Sequence, residues 1–201
     1  MFGDDVIVIG HGGREHALKA KVIAVREFAG YWEYVLDAAV FTAPAHPLWG
    51  GAALVGAAGE LLGIGSLLVE ETVAGRSIQG NMIVPIDLLG PILDDMLKLG
   101  RPAQPARPWL GMYTTEMSGQ LIVGGLADGG PAQRAGVRMK DMVLEVSGER
   151  VASLADLFRR VWRLGAAGVD VPLTLARDGD LVRVRLHSAD RSDFLKKPQL
   201  H

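Results

Sequence analysis

Residues 108–114 read PWLGMYT, residues 120–162 read QLIVGGLADGGPAQRAGVRMKDMVLEVSGERVASLADLFRRVW, and residues 169–187 read VDVPLTLARDGDLVRVRLH. Leu121 to Val123 is a β-rich apolar triplet. Gly129-Gly130-Pro131 is a turn with a proline where a short helix can start. Ala132 to Ala135 makes one helical turn, stopped by Gly136. Met142 to Val146 reads as a strand, turned by Ser147-Gly148-Glu149. Ser153 then caps a helix in which Leu154, Leu157, Phe158 and Val161 fall at helical spacing.

This order of strand, Gly-Pro-Ala turn, Asp141, strand and helix resembles a bacterial PDZ domain of the kind carried by HtrA/Deg-type serine proteases. The family usually has a glycine just before that aspartate, and this chain has Lys140. The difference falls in a loop and is expected to change the turn rather than the fold.

The same resemblance extends upstream. Phe2 to Gly10 looks like the segment that opens a strand of the second chymotrypsin-like barrel, Ala17 to Val25 resembles the next strand, and Tyr31 to Thr42 the strand that leads to the catalytic loop. By periodicity alone, Phe28 to Val40 also reads as a helix. Residues 45–65, AHPLWGGAALVGAAGELLGIG, align without a gap to the family's nucleophile loop and following strand. His46 falls at an Asn, Pro47 at the Pro, Leu48 at a Gly of the oxyanion loop, Trp49 at the second Asn, and Gly50 at the nucleophilic Ser. Glycine has no side chain, so no acyl intermediate can form there. The resemblance therefore implies a protease homologue with no catalytic residue in this chain, the degenerate loop being Leu48, Trp49 and Gly50.

Gly80 to Pro85 resembles the strand lining the specificity pocket, and Ala74 to Gln79 reads as an exposed loop. Ile86 to Leu99 has helical spacing, with Pro91 marking a start or kink, and resembles the helix between protease and PDZ domains. Residues 101–108, RPAQPARP, read as a stiff linker. The expected layout is mainly β: a degenerate second barrel of six strands over 1–85, a linker helix and Pro-rich linker over 86–106, an α+β PDZ domain over 107–190, and a flexible tail over 191–201.

A PDZ domain adds a peptide C-terminus as a strand at a sheet edge and holds its carboxylate with backbone N–H groups. The resemblance puts that loop at Trp109, Leu110, Gly111 and Met112, the edge strand at Tyr113 and Thr114 onward, and the opposite wall on the helix with Leu154, Leu157, Phe158 and Val161. An apolar terminal residue is expected. Protein or peptide C-termini are the implied partners.

Composition narrows the alternatives. The chain has 201 residues, 49% of them hydrophobic, with a net charge of −2 and no cysteine. This excludes disulfides and thiol catalysis and gives no reason to expect nucleic acid or membrane insertion. The stretch VIVIGHGGREHAL (6–18) resembles the opening of an ATP-grasp ligase, but only locally, and no nucleotide or other cofactor is expected. Glu15 and His16 lack a third partner for a metal. No signal peptide is visible; the family resemblance implies a periplasmic or membrane-associated setting. A lone second barrel exposes apolar surface, so self-association or an absent first barrel is expected to cover it.

Overall fold

The computed structural model describes residues 1–73 and 75–195, which fall into two compact units. Residues 1–28 and 36–103 make the first, and residues 29–35 with the chain from Gln104 onward make the second. Among the described residues no helix is long and apolar enough to cross a membrane.

The first unit is a closed six-stranded barrel in the order β1-β2-β3-β6-β5-β4, from β1 (Asp5–Ile9), β2 (Ala17–Gly30), β3 (Tyr34–Ala43), β4 (Ala53–Val55), β5 (Leu61–Val73) and β6 (Arg76–Pro85). Alternation dictates the register. Val6 and Val8 of β1 point into the core while Ile7 is exposed, and Val8 pairs with Leu54 of β4. Val22, Val40, Leu54 and Ile83 complete the packed interior. Tyr34–Ala43 is a strand and Phe28 to Gly30 ends β2, so the helical reading of Phe28 to Val40 is not realised: Val40, Phe41 and Thr42 pair with Ile83, Met82 and Asn81 of β6, and this pairing rather than periodicity fixes the strand.

Two stretches differ from the sequence reading. Of the expected loop Ala74 to Gln79, Ala74 lies outside the described residues, and Arg76 to Gln79 is strand, pairing with β5 from Val73↔Arg76 onward. Ile86 to Leu99 is not one helix. It forms 3-10 turns at Ile86–Leu88 and Gly90–Ile92, and only Leu93–Leu99 (α1) is α-helical, ending at Gly100 with φ 68. Pro91 donates no N–H and its ring crowds the carbonyl four residues back, which breaks the run where Gly90 already weakens it.

The second unit is a sheet in the order β12-β11-β9-β8-β7, with β10 beside β9. Its strands are β7 (Met112–Met117), β8 (Gln120–Leu126), β9 (Met142–Val146), β10 (Glu149–Arg150), β11 (Asp170–Arg177) and β12 (Asp180–His187), with helices α2 (Pro131–Arg134) and α3 (Leu154–Arg163). Three hairpins turn on Ser118-Gly119, Ser147-Gly148 and Asp178-Gly179, each pair with both φ angles positive. That is the two-residue turn whose twist matches the strands it joins. Leu157, Phe158 and Val161 of α3 pack with Met112, Val123, Val143, Leu173 and Leu186 of the sheet in one cluster. Arg191–Phe194 forms a final 3-10 turn whose Phe194 ring lies 4.7 Å from that of Trp109. Residues 196–201, the end of the expected tail, lie outside the described residues.

Asp141 is 1% exposed and takes both guanidinium contacts of Arg177, Nε to Oδ1 and Nη2 to Oδ2, each at 2.7 Å. Burial pushes its pKa up, but the Arg177 pair and the Arg138 N–H outweigh this and hold the carboxyl below its ordinary value of 3.8. A depressed folded value stabilises above the unfolded pKa, and that stabilisation is lost as pH falls through the folded value. Asp141→Asn should therefore cost about 2 kcal/mol at neutral pH, and its gap to wild type in urea unfolding should close as the pH drops below the ordinary 3.8. An equal gap at every pH would contradict the ion-pair account.

Lys140 sits at φ 73, the left-handed region that glycine occupies without strain. Its side chain is exposed, so no packing compensates. A non-glycine residue there costs roughly 1–2 kcal/mol, against roughly 0.5–1 kcal/mol for glycine's extra chain entropy. Lys140→Gly should raise stability by up to about 1.5 kcal/mol, read as a higher urea midpoint with unchanged slope.

Candidate functional site

The segment Trp109–Met112 leads from the bridge with Ala189 into β7. Its carbonyls face the frame: Ala132 N–H donates to Leu110 O at 2.8 Å and Ala127 N–H to Gly111 O at 2.9 Å. Gly111 is left-handed, φ 68, and a Cβ there would lie 3.0 Å from the Trp109 ring, so a side chain at this turn would be strained and would press on Trp109. Trp109 exchanges two backbone hydrogen bonds with Ala189, both 3.0 Å, and supports the loop from behind. With the carbonyls of Leu110 and Gly111 tied back, the N–H groups of Leu110 and Met112 turn to a common acceptor.

Those N–H groups hold a carboxylate. Leu110 N–H donates to Oε2 of Glu33 at 2.9 Å, and Met112 N–H to Oε1 at 3.0 Å. Burial pushes the Glu33 carboxyl up to about 7, opposed by the N–H groups of Leu110, Met112 and Gly111 and by the charge of Arg191. Glu33 belongs to the turn 30–34, where its own N–H donates to Gly30 O at 3.1 Å and its φ is 65.

Beyond the loop, β7 is the last strand of its sheet, so one of its edges is unpaired in the sheet. Met112 and Thr114 turn inward and are fully buried, Tyr113 is half-buried, and the Thr114 hydroxyl has no hydrogen-bond partner. The facing element is α3. Its N-terminus is capped twice: Asp156 N–H donates to Ser153 Oγ at 3.1 Å, and Leu154 N–H donates to Glu116 Oε2 of β7 at 3.1 Å. The sequence-expected residues are thus gathered in one place. Leu110, Met112, Leu154, Leu157, Phe158 and Val161 belong to a single apolar cluster, every one of them buried, with Ala29 and Val35 packed against it. The Trp109 ring packs against Gly111 and Phe194.

Glu33 was not legible as part of this site. It is 77 residues from Leu110 in sequence, and neither charge nor periodicity marks it. The one available sign is a turn after Gly30 that lacks glycine or asparagine at its left-handed position.

The barrel loop 46–51 has the opposite polarity. His46 is 3% exposed; its N–H donates to Asn81 Oδ1 at 2.6 Å. Leu48 N–H donates to His46 Nδ1 at 3.0 Å, which places the ring proton on Nε2, where it donates to His16 O at 2.9 Å. Gly50 is exposed, with no atom within 4 Å of where a Cβ would stand.

Comparison with known proteins agrees with this geometry. A PDZ domain family model matches residues 108–187. A probable periplasmic serine endoprotease, DegP-like, of Pseudomonas fluorescens is 30% identical over 155 residues, covering 71% of this chain and 31% of that protein. The serine endoprotease DegS of Escherichia coli K12 is 25% identical over 141 residues, covering 64% of this chain and 39% of that protein. The chain spans about a third of the length of the curated relatives that it matches. Among solved structures, the HtrA-type protease AlgW with decapeptide superposes with TM-score 0.56 at 21% identity, covering 98% of this chain and 62% of that one. The serine endoprotease from Yersinia pestis gives 0.52 at 22% identity, covering 94% and 63%. Residues 108–187 are a PDZ domain, and the chain is a homologue of the HtrA-type serine proteases over a six-stranded barrel and that domain.

Proposed function

We propose that this chain is a peptide-capture protein, a protease homologue without peptidase chemistry whose PDZ domain takes free C-termini with an apolar last residue. One observation carries the reading. The N–H groups of Leu110 and Met112 converge on a carboxylate, the group that ends every peptide. The unpaired edge of β7 offers the backbone ladder for the residues before it, and α3 supplies the apolar wall. A related fold, AlgW, was solved with a decapeptide. Protein quality control or its regulation is the matching role.

Against peptidase activity stand two features of the barrel loop. Gly50, aligned with the nucleophile, offers no hydroxyl. Leu48 N–H, aligned with an oxyanion donor, is already given to His46 Nδ1. Gly50→Ser has room for its side chain, so the variant should fold, yet remain unlabelled by a fluorophosphonate probe. Labelling of the variant would overturn the argument from Leu48, and labelling of the unmodified chain would overturn the inactive reading and favour the alternative, a serine endopeptidase completed by a first barrel.

Capture itself is tested by displaying random C-terminal peptides against the whole chain. Enrichment of free carboxyl termini ending in an apolar residue, abolished by C-terminal amidation, is the expected result. Leu110→Asp, checked for folding by circular dichroism, should lose the enrichment as well. Equal binding of amidated peptides would overturn the proposal.

A further inference from the structure

We propose that Glu33 is a built-in occupant of the carboxylate-binding loop, so that a peptide C-terminus must displace the turn 30–34 before it can bind. The inference rests on the capture reading above and adds a regulator to that site.

Three independent features support it. The first is chemical identity. Glu33 offers its two oxygens to Leu110 N–H and Met112 N–H, the loop donors that face a terminal carboxylate in this mode of recognition. Carboxylate binding by backbone donors does not distinguish a side-chain carboxyl from a main-chain one, so the two are mutually exclusive.

The second is that the apolar part of a ligand is also supplied. Ala29 and Val35, on either side of the turn, pack against the cluster that includes Leu110, Met112, Leu157 and Val161. Tyr31 meets Tyr113 of the edge strand edge-on, with ring centroids 6.1 Å apart and planes at 84°. The segment thus provides a carboxylate, aliphatic groups and a contact with β7. Residues 29–35 group with the second unit, although the residues before and after them in the chain group with the first.

The third is conformational. Glu33 is held at φ 65. A turn wanting that angle is cheapest with glycine, and a glutamate there carries strain of the kind that persists when the side chain has a purpose. The carboxyl is also a poor tenant. Desolvation moves its pKa to about 7, so its charged form is less favoured in the loop than in water. A C-terminal carboxylate with a full strand behind it gains backbone hydrogen bonds that the turn cannot offer. Strain and desolvation together make the occupant displaceable.

Glu33→Gly is the informative variant, since it removes the carboxylate and suits the turn. A fluorescein-labelled ten-residue peptide ending in free-carboxyl valine is titrated by anisotropy into wild type, Glu33→Gly and Glu33→Gln, all in the full chain, with the amidated peptide as control. If the loop is occupied nine times in ten, the apparent Kd should tighten about tenfold in Glu33→Gly. Glu33→Gln, which keeps the side-chain length, should fall on the same side. Hydrogen exchange in wild type should speed up over residues 29–35 when peptide is added, while the amides of 110–112 stay protected. Equal affinity of the three proteins for the free-carboxyl peptide, with the amidated one rejected, would overturn Glu33 as a competitor and leave capture standing. Peptide binding without faster exchange at 29–35 would overturn it too. Failure of every variant to bind the free-carboxyl peptide would bring down capture and, with it, this inference.

Discussion

A buried backbone N–H must find an acceptor or leave its desolvation uncompensated, at a cost of roughly 1–3 kcal/mol. The second unit concentrates this constraint at Leu110 and Met112. Their carbonyl neighbours are tied to Ala132 and Ala127, so the strand cannot rotate to hide its donors. Gly111 fixes the turn and Trp109 blocks the space behind it. The donors therefore demand an acceptor from outside the loop, and in this chain Glu33 supplies it. Edge strand, facing helix and apolar cluster then acquire their meaning from the place where that acceptor sits.

The barrel loop shows the same chemistry turned inward. His46 accepts from Leu48 N–H through one ring nitrogen and donates to His16 O through the other, while Asn81 receives its backbone N–H. Nothing in that arrangement asks for a ligand. One chain thus carries two glycine-bearing loops of contrary character. The first is closed by its own side chains, and the second is completed by a distant carboxylate.

What could be read from sequence follows from range. The hairpin turn at Ser147-Gly148, the Ser153 cap and the apolar spacing of α3 are local, and their positions are readable residue by residue. In the segment 86–99 the leucines have helical spacing throughout, and Pro91 marks in the sequence the point after which the α-helix starts; the 3-10 turns at Ile86–Leu88 and Gly90–Ile92 are what periodicity does not sense. Arg76 to Gln79 was hidden for the converse reason: these residues are mostly polar, yet the hairpin partner fixes them as strand. Lys140 was noticed as a departure, but the sign of its backbone angle is a property of the fold. Glu33 lay beyond reach altogether, because a carboxylate meeting N–H groups 77 residues away leaves no local trace.

The bond between Glu116 and the first turn of α3 has a bearing on reach. It lies four residues past Met112 and ties the edge strand to the helix that faces it. An extended chain advances about 3.3 Å per residue, so the stretch between the donor loop and this tie accommodates only a handful of positions. Under the proposed capture role, a peptide laid along β7 would meet this tie within a few residues of its carboxylate, so the tie would bound the length of chain end that the strand can pair with.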